Sequence, residues 1–198
     1  ESKRTRMVRP YPIHSLGEAL AVAAAIQESN SGLPFDRALL ARALGTTPAS
    51  SGYVMKLNSS AKYGMTQGGY DDDFIALTPR GESMVAPKGA EELQSALVEA
   101  AMRPDVFGRF YRLLDGKRLP EDTYAENMLH RELEIPAELA GECLRIIKAN
   151  GEFVGLISEI EGSLHVDLTK IQGSPSEADD PRSPVGLPAH AAPAAQAQ

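Results

Sequence analysis

Residues 65–79, MTQGGYDDDFIALTP, constrain this chain more than any other stretch. Met65 to Gln67 and Phe74 to Leu77 are short β-prone runs, and Gly68-Gly69 between them supplies the positive φ that a tight hairpin needs. Thr78 then stands as an N-cap before Pro79, whose missing N–H costs nothing at the first position of a helix. The hairpin therefore runs straight into a helix that continues through Met84-Val85 and closes at Pro87.

Three helices are expected upstream of it. Ser15-Leu-Gly-Glu18 is a capping-box pattern, and Leu16, Leu20, Ala23 and Ala24 follow it at helical spacing until Asn30-Ser31-Gly32. Leu33-Pro34-Phe35 reads as a brief extended segment leading to Asp36, the N-cap of a second helix that ends at Leu44-Gly45. Thr47 with Pro48 predicts the start of a third helix, which runs to about Tyr63 and stops at Gly64. Helix, short strand, helix, turn, helix and hairpin is the order of a winged helix-turn-helix.

The same order is expected a second time. Leu33-Pro34-Phe35-Asp36 is echoed by Leu119-Pro120-Glu121-Asp122, and Leu44 to Pro48 by Leu133 to Pro136. Pro136 opens a helix expected to end at Asn150-Gly151. Residues 153–160 and 163–168 alternate apolar and polar around Glu161-Gly162, a second hairpin. Helices near 90–101 and 104–114 supply this half with its first helix and a linker helix. The expected fold class is mainly α with small β-hairpin wings (α+β), a tandem winged helix-turn-helix. Its parts are a basic flexible arm at 1–11, a first winged-helix domain at 12–88, a second at 89–170 and a disordered tail or interdomain linker at 171–198. The last segment is rich in Pro, Ala, Ser and Asp and has almost nothing large and apolar to bury.

Composition narrows the function classes. No run reaches the ~20 apolar residues of a membrane span, and no apolar signal-peptide core follows the basic start ESKRTRMVR. The one cysteine, Cys143, forms no internal disulfide, which makes a reducing cytoplasm the default location. Residues 1–90 hold ten Lys/Arg against eight Asp/Glu, and residues 91–198 hold ten against nineteen. A polyanion contact would thus come from the first half, and the chain as a whole, at net charge -7, lacks the strongly basic face of a dedicated DNA binder.

The strings SSAKYGMTQGGYDDDFIALTPRG, MVAP, AMRPDVFGRF, KRLPEDTYAENML and GEFVGLI resemble a bacterial module that precedes TIR-like or nucleotide-binding effector domains in defence proteins. The resemblance spans about Pro12 to Ile157. It implies a helical, DNA-binding-like region, with the catalytic chemistry belonging to another domain.

The third helix is the candidate recognition helix. With Tyr53, Val54, Leu57 and Ala61 inward, helical spacing turns Ser51, Gly52, Met55, Ser59 and Lys62 outward and puts Lys56 and Ser60 on the flanks. Serines and lysines hold phosphates, but no Arg, Asn or Gln on this face offers a bidentate base contact. Arg37 and Arg42 of the preceding helix are candidate backbone contacts, and Lys3, Arg4, Arg6 and Arg9 form a basic arm suited to a groove or to phosphates. A solvated helix face beside an ordinary basic terminus explains the same charges.

Asp71, Asp72 and Asp73 oppose the DNA reading, because each approach of a carboxylate to a phosphate is unfavourable, by about 1 kcal/mol at about 4 Å in bulk water. The triplet lacks the spaced ligands of a calcium loop, so turn chemistry explains it better than a metal. His14, His130, His165 and His190 share no metal-ligand spacing, and Cys143 lies in an apolar helical stretch that marks a buried structural thiol. No nucleophile and base share a motif. The resulting expectation is a cytoplasmic, non-catalytic module without metal or cofactor that binds double-stranded DNA in a regulatory role. The alternative is a protein-interaction or oligomerisation adaptor, homodimer included, for a separate effector domain, with Met55 as the docking residue. Neither reading involves a membrane.

Overall fold

In a computed structural model, residues 9–169 are described; Lys3, Arg4 and Arg6 of the arm and the segment 171–198 lie outside them. The first half opens with α1 (Leu16–Asn30), where Ser15 Oγ accepts the amide of Glu18 and Glu18 accepts the amide of Ser15, completing the capping box. Its end is left-handed, at Ser31 and Gly32. Next come β1 (Phe35–Asp36), α2 (Arg37–Ala43), α3 (Ser51–Lys62), β2 (Thr66–Gln67), β3 (Phe74–Leu77) and α4 (Pro79–Val85). Asp36 caps α2 by accepting the amides of Ala38 and Leu39, each at 2.9 Å, and Thr78 caps α4 through the amide of Gly81. The strands form an antiparallel sheet in the order β1-β3-β2, with Phe35 opposite Ile75 and Thr66 opposite Leu77.

One helix start differs from expectation. Ser50 caps α3, and the amide of Ser50 bonds to the carbonyl of Thr47, so Thr47 and Pro48 belong to a turn. Pro48 has the φ of a first helical residue, but that φ equally suits the second position of a type I turn.

The second half comprises α5 (Ala90–Met102), α6 (Asp105–Leu113), α7 (Asp122–Glu132), α8 (Ala137–Val154), β4 (Ile157–Ile160) and β5 (Ser163–Val166). The β4–β5 turn places Glu161 at φ 50° and Gly162 at φ 75°, the mirror-image turn whose twist suits a hairpin. Residues 115–119 run along the other edge of β5, with the Leu119 amide 2.7 Å from the Leu164 carbonyl. β5 is thus flanked by this segment and β4, as β3 is flanked by β1 and β2. The order α6, residues 115–119, α7, α8, β4, β5 repeats the order α1, β1, α2, α3, β2, β3. The fold is mainly helical with two small antiparallel sheets, and no described helix is long and apolar enough to cross a membrane.

Helix α8 passes through Asn150-Gly151 and stops four residues later, at Gly155 with φ 80°. Both supposed stop residues are explained by packing. A Cβ on Gly151 would press on the side chain of Ile157, and the Asn150 amide is wholly buried. Asn150 Oδ1 accepts the amide of Leu16 at 2.7 Å, and its Nδ2 donates to the Tyr63 hydroxyl at 2.9 Å. Asn150 therefore satisfies one of the first-turn amides of α1, which the helix itself leaves without an acceptor.

The hydrophobic core is continuous across the expected boundary at 88/89. The ring of Phe107 on α6 lies 6.1 Å from that of Tyr11 and 6.4 Å from that of Tyr63, tilted against both. Helix α5 packs on α4 and on α8, and α1 packs on α3 and α8. In α4, Gly81 faces the Met65 carbonyl so closely that an added Cβ would collide with it.

Candidate functional site

The corner formed by α2, α3 and the β2–β3 hairpin carries most of the residues singled out in the sequence. Arg37, first in α2, ties that corner together. Its backbone amide donates to the Asp73 carbonyl at 2.9 Å, its Nε to the Asp72 carbonyl at 3.2 Å and its Nη1 to the Pro48 carbonyl at 3.2 Å. The guanidinium lies 5.0 Å from the centre of the Tyr70 ring, a cation–π contact. The Tyr53 hydroxyl donates to the Arg37 carbonyl at 2.8 Å, and burial pushes that phenol up to about 12. Arg37 thus holds the tip of the hairpin to the start of α2.

The three aspartates are not equivalent. Asp72 Oδ2 accepts the amide of Gly69 at 2.7 Å while the Asp72 amide donates to the Gly69 carbonyl at 3.3 Å, so the pair closes the turn at the tip. Asp71 and Asp73 keep exposed side chains.

Most of the predicted basic contacts are committed elsewhere. Arg9 is not a free arm residue. Its Nε lies 2.6 Å from Glu142 Oε1 on α8, and that hydrogen bond raises its affinity for the proton. Burial pushes the Glu142 carboxyl up, but the bonds from Arg9 and from the Tyr11 hydroxyl outweigh it and hold the group below the ordinary range. Lys62 Nζ donates to the carbonyls of Arg9 and Tyr11, each at 3.1 Å, and burial lowers its pKa. The chain at Arg9 to Tyr11 is therefore strapped across the end of α3 onto α8.

Ser59 and Ser60 face inward, contrary to the placement expected from hydropathy. Ser59 Oγ donates to the Met55 carbonyl at 3.0 Å and accepts the His14 amide at 3.3 Å, while Ser60 Oγ accepts the Thr66 hydroxyl at 3.0 Å. These bonds satisfy both hydroxyls inside the fold. Ser51, Met55 and Arg42 are exposed as expected, and Lys56 is half-buried. Among the described residues neither Arg42 nor Lys56 has an ion-pair partner.

What the hydropathy pattern missed is apolar. Leu33, Leu39, Tyr70 and Phe74 are, like Met55, large and exposed, Phe74 by 59%. Phe74 pairs across the sheet with Asp36, beside Arg37 and its Tyr70. Phe74 follows three aspartates, so a strand residue with that neighbour could have been recognised as surface.

Cys143 is fully buried and its thiol is pushed up to about 12 by burial, then by Glu142, so it is a protonated core group at neutral pH. Among the described residues no three His, Cys, Asp or Glu side chains gather as a metal site. No protein-family model, curated protein or solved structure matches the chain.

Proposed function

We propose that the chain is a tandem winged-helix recognition module whose first half docks a protein partner through the α2–α3–hairpin corner. The observation that carries this reading is the pairing of exposed apolar side chains with uncommitted carboxylates there. Leu39, Tyr70 and Phe74 are solvent-facing, Met55 is open on α3, and Asp71 and Asp73 are exposed in the hairpin between Tyr70 and Phe74. Large exposed apolar residues gathered at one corner mark an interaction site more often than a solvated face. The fitting partner is a protein surface that is apolar at its centre and rimmed by Lys or Arg. In a protein resembling defence modules, that partner is an effector domain or its regulator.

Duplex DNA is the second reading, favoured by Arg42 on α2 and Lys56 on α3, which have no ion-pair partners among the described residues. It is the weaker one. Ser59 and Ser60 are buried, and Arg9, Arg37 and Lys62 hold other groups.

The immobilised chain and its Met55→Glu and Phe74→Glu variants, exposed to extract of the source cells, test the reading. One and the same partner should be retained by the wild type and lost from both variants, with melting temperatures unchanged. Retention that ignores both substitutions sinks the docking corner. A gel shift on random duplex at low salt, weakened by Lys56→Ala together with Arg42→Ala and showing a salt slope of about one to two units, would move the assignment to DNA.

A further inference from the structure

On the side of the first half where α4 meets α5, a pocket of about 580 Å³ opens between the Gly64 turn, β2, α4 and the end of α5. That volume lies inside the range of ~300–1,000 Å³ usual for small-ligand sites. Two arginines converge in it. A Cβ built on Gly64, which sits at φ 74°, would lie 2.6 Å from Arg80 Nη1 and 2.7 Å from Arg103 Nε. The two guanidinium groups therefore meet over the same glycine, where any side chain would separate them.

Like charges at this distance repel unless an anion lies between or beside them. The protein supplies only part of one. Glu99 Oε2 sits 3.3 Å from Arg80 Nη2 but is more than half exposed, and the Arg103 guanidinium has no hydrogen-bond or ion-pair partner among the described residues. Arg80 Nε is buried and makes no hydrogen bond among the described residues, although a buried donor without an acceptor is costly. The neighbouring hydroxyls are already committed: Thr78 Oγ1 donates to the Gly64 carbonyl and Ser83 Oγ donates to Glu92. What the pocket leaves open is thus a set of N–H donors from two guanidinium forks, with the Gln67 amide beside them.

We propose that this pocket binds the phosphoryl group of a small phosphorylated metabolite, with Arg80 and Arg103 as the two forks. A carboxylate has two oxygens, which one fork saturates, whereas a phosphomonoester offers three acceptor oxygens to two forks at once. A nucleoside monophosphate or a sugar phosphate has the required size and chemistry. Glu99, held only by two 3.3 Å bonds, from Arg80 and from the Ser95 hydroxyl, swings out as the ligand enters. The pocket shares no residue with the docking corner, so the two assignments stand or fall separately.

Titration calorimetry on the 198-residue chain decides it, with inorganic phosphate, adenosine monophosphate, adenosine, acetate and a short DNA duplex as probes. Phosphate and the monophosphate should bind, while adenosine and acetate should not. Arg103→Gln, which breaks no side-chain hydrogen bond or ion pair among the described residues, should weaken binding by about tenfold through one lost charge-assisted fork. Arg80→Gln should weaken it further, and Glu99→Gln should tighten it. Binding that is absent, that is equal in wild type and Arg103→Gln, or that acetate reproduces would overturn the proposal. So would binding confined to the duplex. Phe74→Glu should leave phosphate binding unchanged.

Discussion

Replacing Asn150 with Ala removes one side chain that three segments depend on. In the folded chain its carbonyl is the acceptor for the Leu16 amide at 2.7 Å and its amide donates to Tyr63 at 2.9 Å, with no exposure at all. The Tyr63 hydroxyl still donates to the His14 carbonyl at 2.8 Å, so it loses one bond of two. The Leu16 amide loses its acceptor while fully buried, which costs about 1–3 kcal/mol, and the bond to Tyr63 adds about 1 kcal/mol. The expected destabilisation is therefore about 2–4 kcal/mol. At roughly 2–4 °C per kcal/mol for a chain of this size, the melting midpoint should fall by about 5–15 °C. Urea unfolding followed by far-UV circular dichroism and by tyrosine fluorescence measures it, and the two signals should move together, because Asn150 belongs to one half and both its partners to the other. A loss below about 0.5 kcal/mol, or two transitions of which only one shifts, would refute the argument. Asn150→Asp sharpens the test. It keeps an acceptor for Leu16, but burial raises its folded pKa, so this variant should lose stability as pH climbs above the ordinary Asp range and regain it toward acid.

Three further outcomes are expected. The folded Glu142 carboxyl is held below its ordinary value, so its bonds to Arg9 and Tyr11 stabilise the fold above the usual Glu range and stop doing so as pH falls through it; Glu142→Gln should flatten acid unfolding near pH ~4, by less than about 1 kcal/mol since the pair is partly exposed. Gly81→Ala should cost about 1–3 kcal/mol or more in denaturant melts, because the new methyl meets the Met65 carbonyl, and a neutral result would show that α4 can shift away. Cys143 should resist a thiol reagent at pH ~8 in the native chain and react at once in urea; fast native labelling would contradict its burial.

The elements that could be read from the sequence are those closed by local chemistry. The Ser15–Glu18 capping box, the Thr78-Pro79 start of α4, the run Phe74–Leu77 and the Glu161-Gly162 turn all stand where short-range rules put them. The errors lie where a distant partner decides. Asn150-Gly151 looks like a stop signal until Leu16, Tyr63 and Ile157 supply its contacts. Ser59 and Ser60 look like surface until His14 and Thr66 bond them. Arg9 looks like part of a loose basic arm because the acid that binds it stands 133 residues away. The proposed docking corner was half legible: the order of its helices and strands and the exposure of Met55 were, whereas the exposure of Phe74, Tyr70 and Leu39 depends on how the hairpin folds onto α2.

The rings of Tyr11, Tyr63 and Phe107 also bear on how such a chain can be inherited. Two of them come from the first half and one from the second, beneath a strap whose arginine grips α8. A genetic crossover between Lys88 and Gly89 respects the secondary structure yet splits that aromatic group, leaving each offspring to meet a half shaped by a different history. Such exchanges should succeed only when residues 9–169 travel as one block, so shuffling among relatives should place its junctions outside the pair and never between the halves.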